Sequence, residues 1–174
     1  MSALLELFWV FLPAGIANIC PSISAKWLPG LSYPLDFGRT FRGRRIFGEH
    51  KTIRGIIAGV MGGGAVFLLE KYLLGSIAGE GVGNLPWYFG FLLGAGAVGG
   101  DAIESFFKRQ IGMRPGKSWI LFDQIDWIVG ALIASRGFVI IALPEILLLV
   151  GAGGLLHFLV KLGGYMVRIE KTPI

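Results

Sequence analysis

The chain has 174 residues, of which 54% are hydrophobic and 16% charged, and its mean hydropathy is +0.70. That composition lies far outside the soluble range and marks an integral membrane protein, with apolar blocks of the length that crosses a bilayer, about 20 residues of helix. A single cysteine, Cys20, excludes an intrachain disulfide and a cysteine-based metal cage.

The first apolar block, Ser2 to Pro21, has no basic leader and no small-residue cleavage site after it, so it reads as a retained helix and not as a signal peptide. Four further spans follow: Ile53 to Leu74, Leu85 to Phe107, Trp119 to Leu143, and Pro144 to Val167. Pro144 marks the joint between the last two, because proline cannot donate to a helix ladder. The fold class expected is all-α: a polytopic membrane protein of five transmembrane helices with a cytoplasmic-facing polar cavity. Residues 1–174 form a single membrane domain.

The basic residues set the orientation. Lys26, Arg39, Arg42, Arg44, Arg45, Lys51 and Arg54 lie between spans one and two. Lys108, Arg109, Arg114 and Lys117 lie between spans three and four, and Lys161, Arg168 and Lys171 lie at the C-terminal end. With five spans these regions share one face, which leaves only Lys71 and Arg136 for the other. The positive-inside rule makes the crowded face cytoplasmic, with the N-terminus outside and the C-terminus in the cytoplasm. Glycines recur at spacing four (Gly59 with Gly63, Gly90 with Gly94, Gly96 with Gly100), a pattern that lets helix backbones approach within a bundle or across a homodimer.

Two polar constellations break the apolar pattern. In "DAIESFFKRQIGMRPGKSWILFDQID", Asp101 and Glu104 stand three apart near the end of span three, on a face extended by Ser105 and Lys108. Asp123 and Asp126 repeat that spacing at the start of span four. Ionisable groups within a span normally face a polar cavity. Two carboxylate pairs at one depth suggest a hard-cation site, for which Mg²⁺ with its preference for oxygen ligands is the expected occupant. The plainer alternative pairs Asp101 and Glu104 with Lys108 and Arg109 and leaves Asp123 and Asp126 as dipole caps. The second constellation, "GRTFRGRRIFGEHKTIRG", ends where span two begins. There the helix N-terminus, Lys51, Thr52 and Arg54 offer an anion site, with Gly48 and Gly55 permitting backbone approach. A polyphosphate with Mg²⁺ would join the two constellations.

Ser105, Lys108, Arg109, Arg114 and the closing Asp123 and Asp126 resemble the signature of the CTP:phosphatidate cytidylyltransferase superfamily. "LPAGIANICPSISAKWLPGLSYPLDFG" and "GRRIFGEHKTIRG" are similar to its archaeal branch, the CDP-archaeol synthases. Arg114, Pro115 and Gln124 depart from the bacterial and eukaryotic form of the signature. The resemblance implies a reaction of CTP with an unsaturated archaeal ether lipid phosphate, 2,3-bis-O-(geranylgeranyl)-sn-glycerol 1-phosphate, giving CDP-archaeol and pyrophosphate. On that basis Asp101, Asp123 and Asp126, with Glu104, are expected to hold Mg²⁺. Lys108 and Arg109 complete the catalytic set, and Lys51, Thr52, Arg54, Ser105 and Arg114 are assigned to the CTP phosphates. Asn18, Glu49 and His50 are polar groups near the cavity. His157 and Lys161 share a face of span five, where helix packing or snorkelling competes with reach to the lipid phosphate. The alternative from another class is a small membrane ion or metabolite transporter. The one-sided placement of the charges and the lack of an internal repeat weigh against it. A CDP-alcohol phosphotransferase would carry a motif that is missing here.

Overall fold

The structure, a computed structural model, describes residues 3–28, 30–115, 117–119 and 121–166. The expected span ends Ser2 and Val167, and the cations Arg168 and Lys171, lie outside these residues. The elements run α1 (Ala3–Trp27), a hairpin of β1 (Thr40–Phe41) and β2 (Arg44–Arg45), α2 (Ile53–Tyr72), the short helices α3 (Gly75–Ala78) and α4 (Glu80–Asn84), then α5 (Phe89–Gln110), α6 (Phe122–Ser135) and α7 (Leu143–Met166).

Helix α1 outruns its expected end. Pro13 and Pro21 both lie inside it. Each takes the helical donor from the carbonyl four residues before it, Trp9 and Ala17, and the Ala17 carbonyl faces Gly59 of α2, whose missing side chain leaves it room. Transmembrane helices tolerate proline where neighbouring helices accommodate such freed groups. The expected span 119–143 shortens to the 14 residues of α6, about 21 Å of helix. The helix ends in a turn at Arg136–Gly137, where the Phe138 and Val139 amides donate to the Ser135 carbonyl. Pro144 occupies the first turn of α7, where its missing N–H costs nothing, and the Ala142 amide before it donates to Glu145 Oε2 at 2.9 Å.

Three helices, Leu4–Trp27, Ile53–Tyr72 and Leu143–Met166, are long and apolar enough to cross a membrane. α5 has the length, 22 residues, but Asp101, Glu104, Lys108 and Arg109 lower its hydropathy. In the bundle α1 packs on α2, α2 on α5, α5 on α6 and α6 on α7, while α5 also touches α1.

Glycine sets the spacing of the central helices. A β-carbon on Gly63 would come 2.8 Å from the Gly90 carbonyl oxygen, and one on Gly94 would come 2.9 Å from that of Gly59. Between α5 and α6, a β-carbon on Gly96 would meet the Gly130 carbonyl at 2.6 Å, and one on Gly100 would run into the Asp126 carbonyl. The glycine pattern is thus consumed by packing inside the chain, and a second copy is not needed to explain it. The core between these seams is apolar, with Phe67, Phe89, Leu93 and Ile128 almost fully buried.

At one end of the bundle α4 is fastened to the long helices. Lys71 donates to the Leu85 carbonyl at 2.7 Å and the Gly81 amide to Glu6 Oε1 at 2.8 Å. The opposite end gathers the basic loops: Gln110 Nε2 donates to the Arg45 carbonyl at 3.3 Å, joining the hairpin to the end of α5.

Candidate active site

The site begins with the close approach of α5 and α6. Because Gly100 has no side chain, the backbone of Asp126 presses directly on α5, one residue from Asp101. Carboxylate oxygens of Asp101, Glu104 and Asp126 lie within 4.8 Å of one another. The i,i+3 spacing on α5 puts its two acids on one face, and α6 brings the third. Asp126 Oδ1 also accepts from the Trp127 amide at 2.6 Å.

Two lysines offset this buildup of negative charge. Lys51 Nζ donates to both oxygens of Asp101, each at 2.5 Å. Lys108, largely buried, stands between Glu104 at 3.0 Å and Asp123 at 2.5 Å. Burial pulls the Lys51 ammonium down, but the Asp101 carboxylate, with Asp126 and Glu104 behind it, raises it above the usual lysine range. Asp123 is not one of these three acids, but it lies within hydrogen-bond reach of Glu104. It accepts from the Ser118 hydroxyl at 3.1 Å and the Trp119 amide at 3.2 Å, contacts typical of a carboxylate in the first turn of a helix.

The loop before α2 delivers Lys51. The Leu35 amide donates to the Lys51 carbonyl at 2.7 Å and the Ile53 amide to that of Tyr33 at 3.0 Å, so the segment 33–35 runs beside 51–53. Thr52 caps α2, its hydroxyl accepting from the Gly55 amide at 3.2 Å. Asp36 holds the loop together: its carboxylate accepts from the amides of Gly38 at 3.0 Å, Phe47 at 3.0 Å and Gly48 at 2.9 Å, and from Arg45 at 2.5 Å. Burial alone would raise this carboxyl; the Arg45 hydrogen bond and the three amides hold it well below the usual carboxylate range.

These elements open onto a cavity of about 630 Å³. Lys51, Thr52 and Arg54 line it from the start of α2 and the loop before it, and Asp101, Glu104, Ser105 and Lys108 from α5. Asp123 and Trp127 line it from α6, and His157, Val160 and Lys161 from α7. Arg54 is also tied to the end of α1, donating to the Leu28 carbonyl at 2.6 Å and the Ser32 hydroxyl at 2.9 Å. Arg109 and Arg114 are not part of the lining. Arg109 reaches back to the Arg114 carbonyl at 3.4 Å, and the Arg114 side chain is exposed. Of the other polar residues, Asn18 and His50 reach the cavity, while Glu49 points outward, 3.8 Å from Arg45.

The chain as a whole has counterparts among known proteins. The profile of the CarS-like family, described as CDP-archaeol synthase, matches residues 1–174. The chain belongs to the CDP-archaeol synthase family. The CDP-archaeol synthase of Methanopyrus kandleri is 37% identical over 95% of this chain and 90% of its own length. That of Pyrococcus furiosus is 34% identical over 99% of both. A solved structure described as "Structural insight into an intramembrane enzyme for archaeal membrane lipids biosynthesis" superposes with a TM-score of 0.76 at 31% identity, covering 92% of this chain and 96% of that one. Like these CDP-archaeol synthases, the protein is a membrane enzyme.

Sequence reasoning overlooked Asp36 and Trp127. The glycine two residues after Asp36 and the basic "GRR" beyond it were the available signals for a loop built on one carboxylate. Trp127, 3% exposed, packs between Gly15 of α1 and Gly153 of α7, and only the facing glycines distinguish it from an ordinary core residue.

Proposed function

We propose that the protein transfers a cytidylyl group from CTP to an unsaturated archaeal ether lipid phosphate, 2,3-bis-O-(geranylgeranyl)-sn-glycerol 1-phosphate, yielding CDP-archaeol and pyrophosphate. The observation that carries this reading is the clustering of Asp101, Glu104 and Asp126 at a cavity that Asp101 and Glu104 line together with Lys51, at the N-terminal end of α2. The name of the related enzymes supports the product, and the cavity's chemistry supports the substrates.

The donor set consists of carboxylate oxygens alone, which suits a divalent cation of the Mg²⁺ type and not zinc. Asp101, Glu104 and Asp126 would hold it; Asp123, engaged by Lys108, Ser118 and Trp119, orients Lys108. Bound there, the metal supplies neutralisation of the triphosphate's charge. Lys51 binds phosphate oxygens, aided by the positive end of the α2 dipole beside it. Lys108, held by Glu104 and Asp123, is fixed in one position and lends its charge to the transition state. A phosphate oxygen of the lipid attacks the α-phosphorus of CTP. A new P–O bond forms, the bond from the α-phosphorus to the bridging oxygen breaks, and pyrophosphate leaves with the electron pair. The attacking monoester is already anionic, so no side chain has to remove a proton; positioning and charge neutralisation are what the protein contributes.

We place the site on the cytoplasmic side, because the basic loops gather at its end of the bundle. Five crossings follow if α1, α2, α5 and α7 each cross and α6 is completed by residues 136–142. Val139 and Ile141 in that stretch pack on the core. The test is transfer of label from CTP into the lipid phase in the presence of lipid phosphate and Mg²⁺. Conversion without pyrophosphate release, or passage of solute without conversion, would sink the proposal, the latter in favour of a transporter.

A further inference from the structure

We propose that α7 carries the subsite for the acceptor phosphate: His157 and Lys161 receive the phosphate of the lipid, and Asn18 of α1 positions the imidazole. This inference rests on the cytidylyl-transfer reading above.

The assignment follows from the partners of the cavity's cations. Lys51 is engaged by Asp101, Lys108 by Glu104 and Asp123, and Arg54 by the Leu28 carbonyl and Ser32. Lys161 lines the same cavity and has no acceptor among the described residues. It lies one helical turn from His157, so the two present their polar ends together. Asn18 Nδ2 lies 2.9 Å from His157 Nδ1. With the amide donating there, Nδ1 accepts and the ring proton sits on Nε2, on the helix face that also carries Lys161. One charged and one neutral donor suit a phosphate monoester.

The surroundings select a lipid over a second soluble phosphate. Ile19 and Ile23 of α1 and Leu156 and Val160 of α7 line the cavity on the same side, and Ile23, Leu156 and Val160 are themselves exposed at the protein's surface. Gly153 is the one residue of α7 that is fully buried, so the seam between α1 and α7 is thinly packed beyond the Asn18–His157 bond. A phosphate held by His157 and Lys161 would lead its apolar chains out along these four side chains, and its oxygens would face the acid cluster across the cavity.

The experiment is steady-state kinetics of the full-length enzyme in detergent, with the diether phosphate and CTP varied independently, for wild type, Lys161→Met, Lys161→Arg, His157→Gln and Asn18→Ala. Loss of a charged donor should raise the KM for lipid phosphate about tenfold or more in Lys161→Met and leave the KM for CTP unchanged. Lys161→Arg should restore it, and His157→Gln and Asn18→Ala should produce smaller shifts in the same constant. Inhibition by the diether alcohol, which lacks the phosphate, should be equal in wild type and Lys161→Met, a comparison that a purely structural lysine would fail. An unchanged lipid KM in Lys161→Met while wild type turns over, or a shift in the CTP constant instead, overturns the subsite and leaves the parent reading intact. Failure of wild type to form any CDP-lipid overturns both.

Discussion

Lys51 grips both oxygens of Asp101 at 2.5 Å, one residue before the Thr52 cap of α2. The ammonium therefore stands at the boundary between the acid cluster and the helix N-terminus that would take phosphate. Lys51→Ala should reduce kcat/KM for CTP on the order of 100-fold or more, as loss of a transition-state donor does. Because the folded-state pKa is raised, the stabilisation from this charge is complete below the unfolded-lysine value of about 10.4 and is lost only as pH rises through the higher folded value. Activity profiles from about pH 7 to 9 should show no falling limb that disappears in Lys51→Ala.

Asp126 is the acid that α6 contributes to the cluster. Asp126→Asn keeps the shape and removes a charged ligand. Turnover should fall by about two orders of magnitude or more, and binding of Mn²⁺, followed by its paramagnetic signal, should weaken. Near wild-type pyrophosphate release by this variant would show that the metal assignment is wrong. Asp123→Asn should behave differently, with a smaller loss of metal binding, because its oxygens are committed to Lys108, Ser118 and Trp119.

The contact of Gly100 with the Asp126 backbone makes a glycine the determinant of where a carboxylate sits. Gly100→Ala should lower stability by about 1–3 kcal/mol through overpacking and separate Asp126 from Asp101. Gly99→Ala is the control, since a β-carbon there meets nothing within 4 Å. Thermal unfolding in detergent, together with turnover, reads both; equal behaviour of the two variants would contradict the proposed seam.

Asp36 secures the loop that carries Lys51. Asp36→Ala leaves Arg45 and three amides without their acceptor and should cost on the order of 2–3 kcal/mol, with the KM for CTP raised because Lys51 loses its support. The folded-state pKa of Asp36 is depressed, so its contribution is present above the unfolded value of about 3.9 and lost as pH falls through the lower folded one. Wild type and Asp36→Asn should therefore differ most in melting temperature near neutrality and converge only in strong acid.

What the sequence made legible was periodic. Three-residue spacing placed Asp101 and Glu104 on one face, and four-residue spacing marked the glycines that join α2, α5 and α6. The same spacing paired Asp123 with Asp126 but gave no sign of the donors that Asp123 meets just before its helix, Ser118 and Trp119. The end of α1 was also misread. Pro21 signals a stop only where nothing accommodates the carbonyl it deprives of a donor, and here that carbonyl, of Ala17, faces Gly59 of α2. Asp36 remained hidden because its partners, Arg45, Phe47 and Gly48, come together only once the loop has folded.

The glycine seams bear on how the bundle assembles. Docking a leucine-rich helix face freezes rotamers, at about 0.5–1 kcal/mol for each leucine. Gly63, Gly90, Gly94, Gly96, Gly100 and Gly130 have no rotamers to freeze, and within a bilayer their helices are already formed before they meet. Association of α2, α5 and α6 thus proceeds with little loss of side-chain entropy, and the contact gains mostly dispersion energy between backbones. A joint of that kind should weaken less on heating than one made of long side chains, holding the three acids in register at temperatures where a leucine seam of equal area would begin to slip.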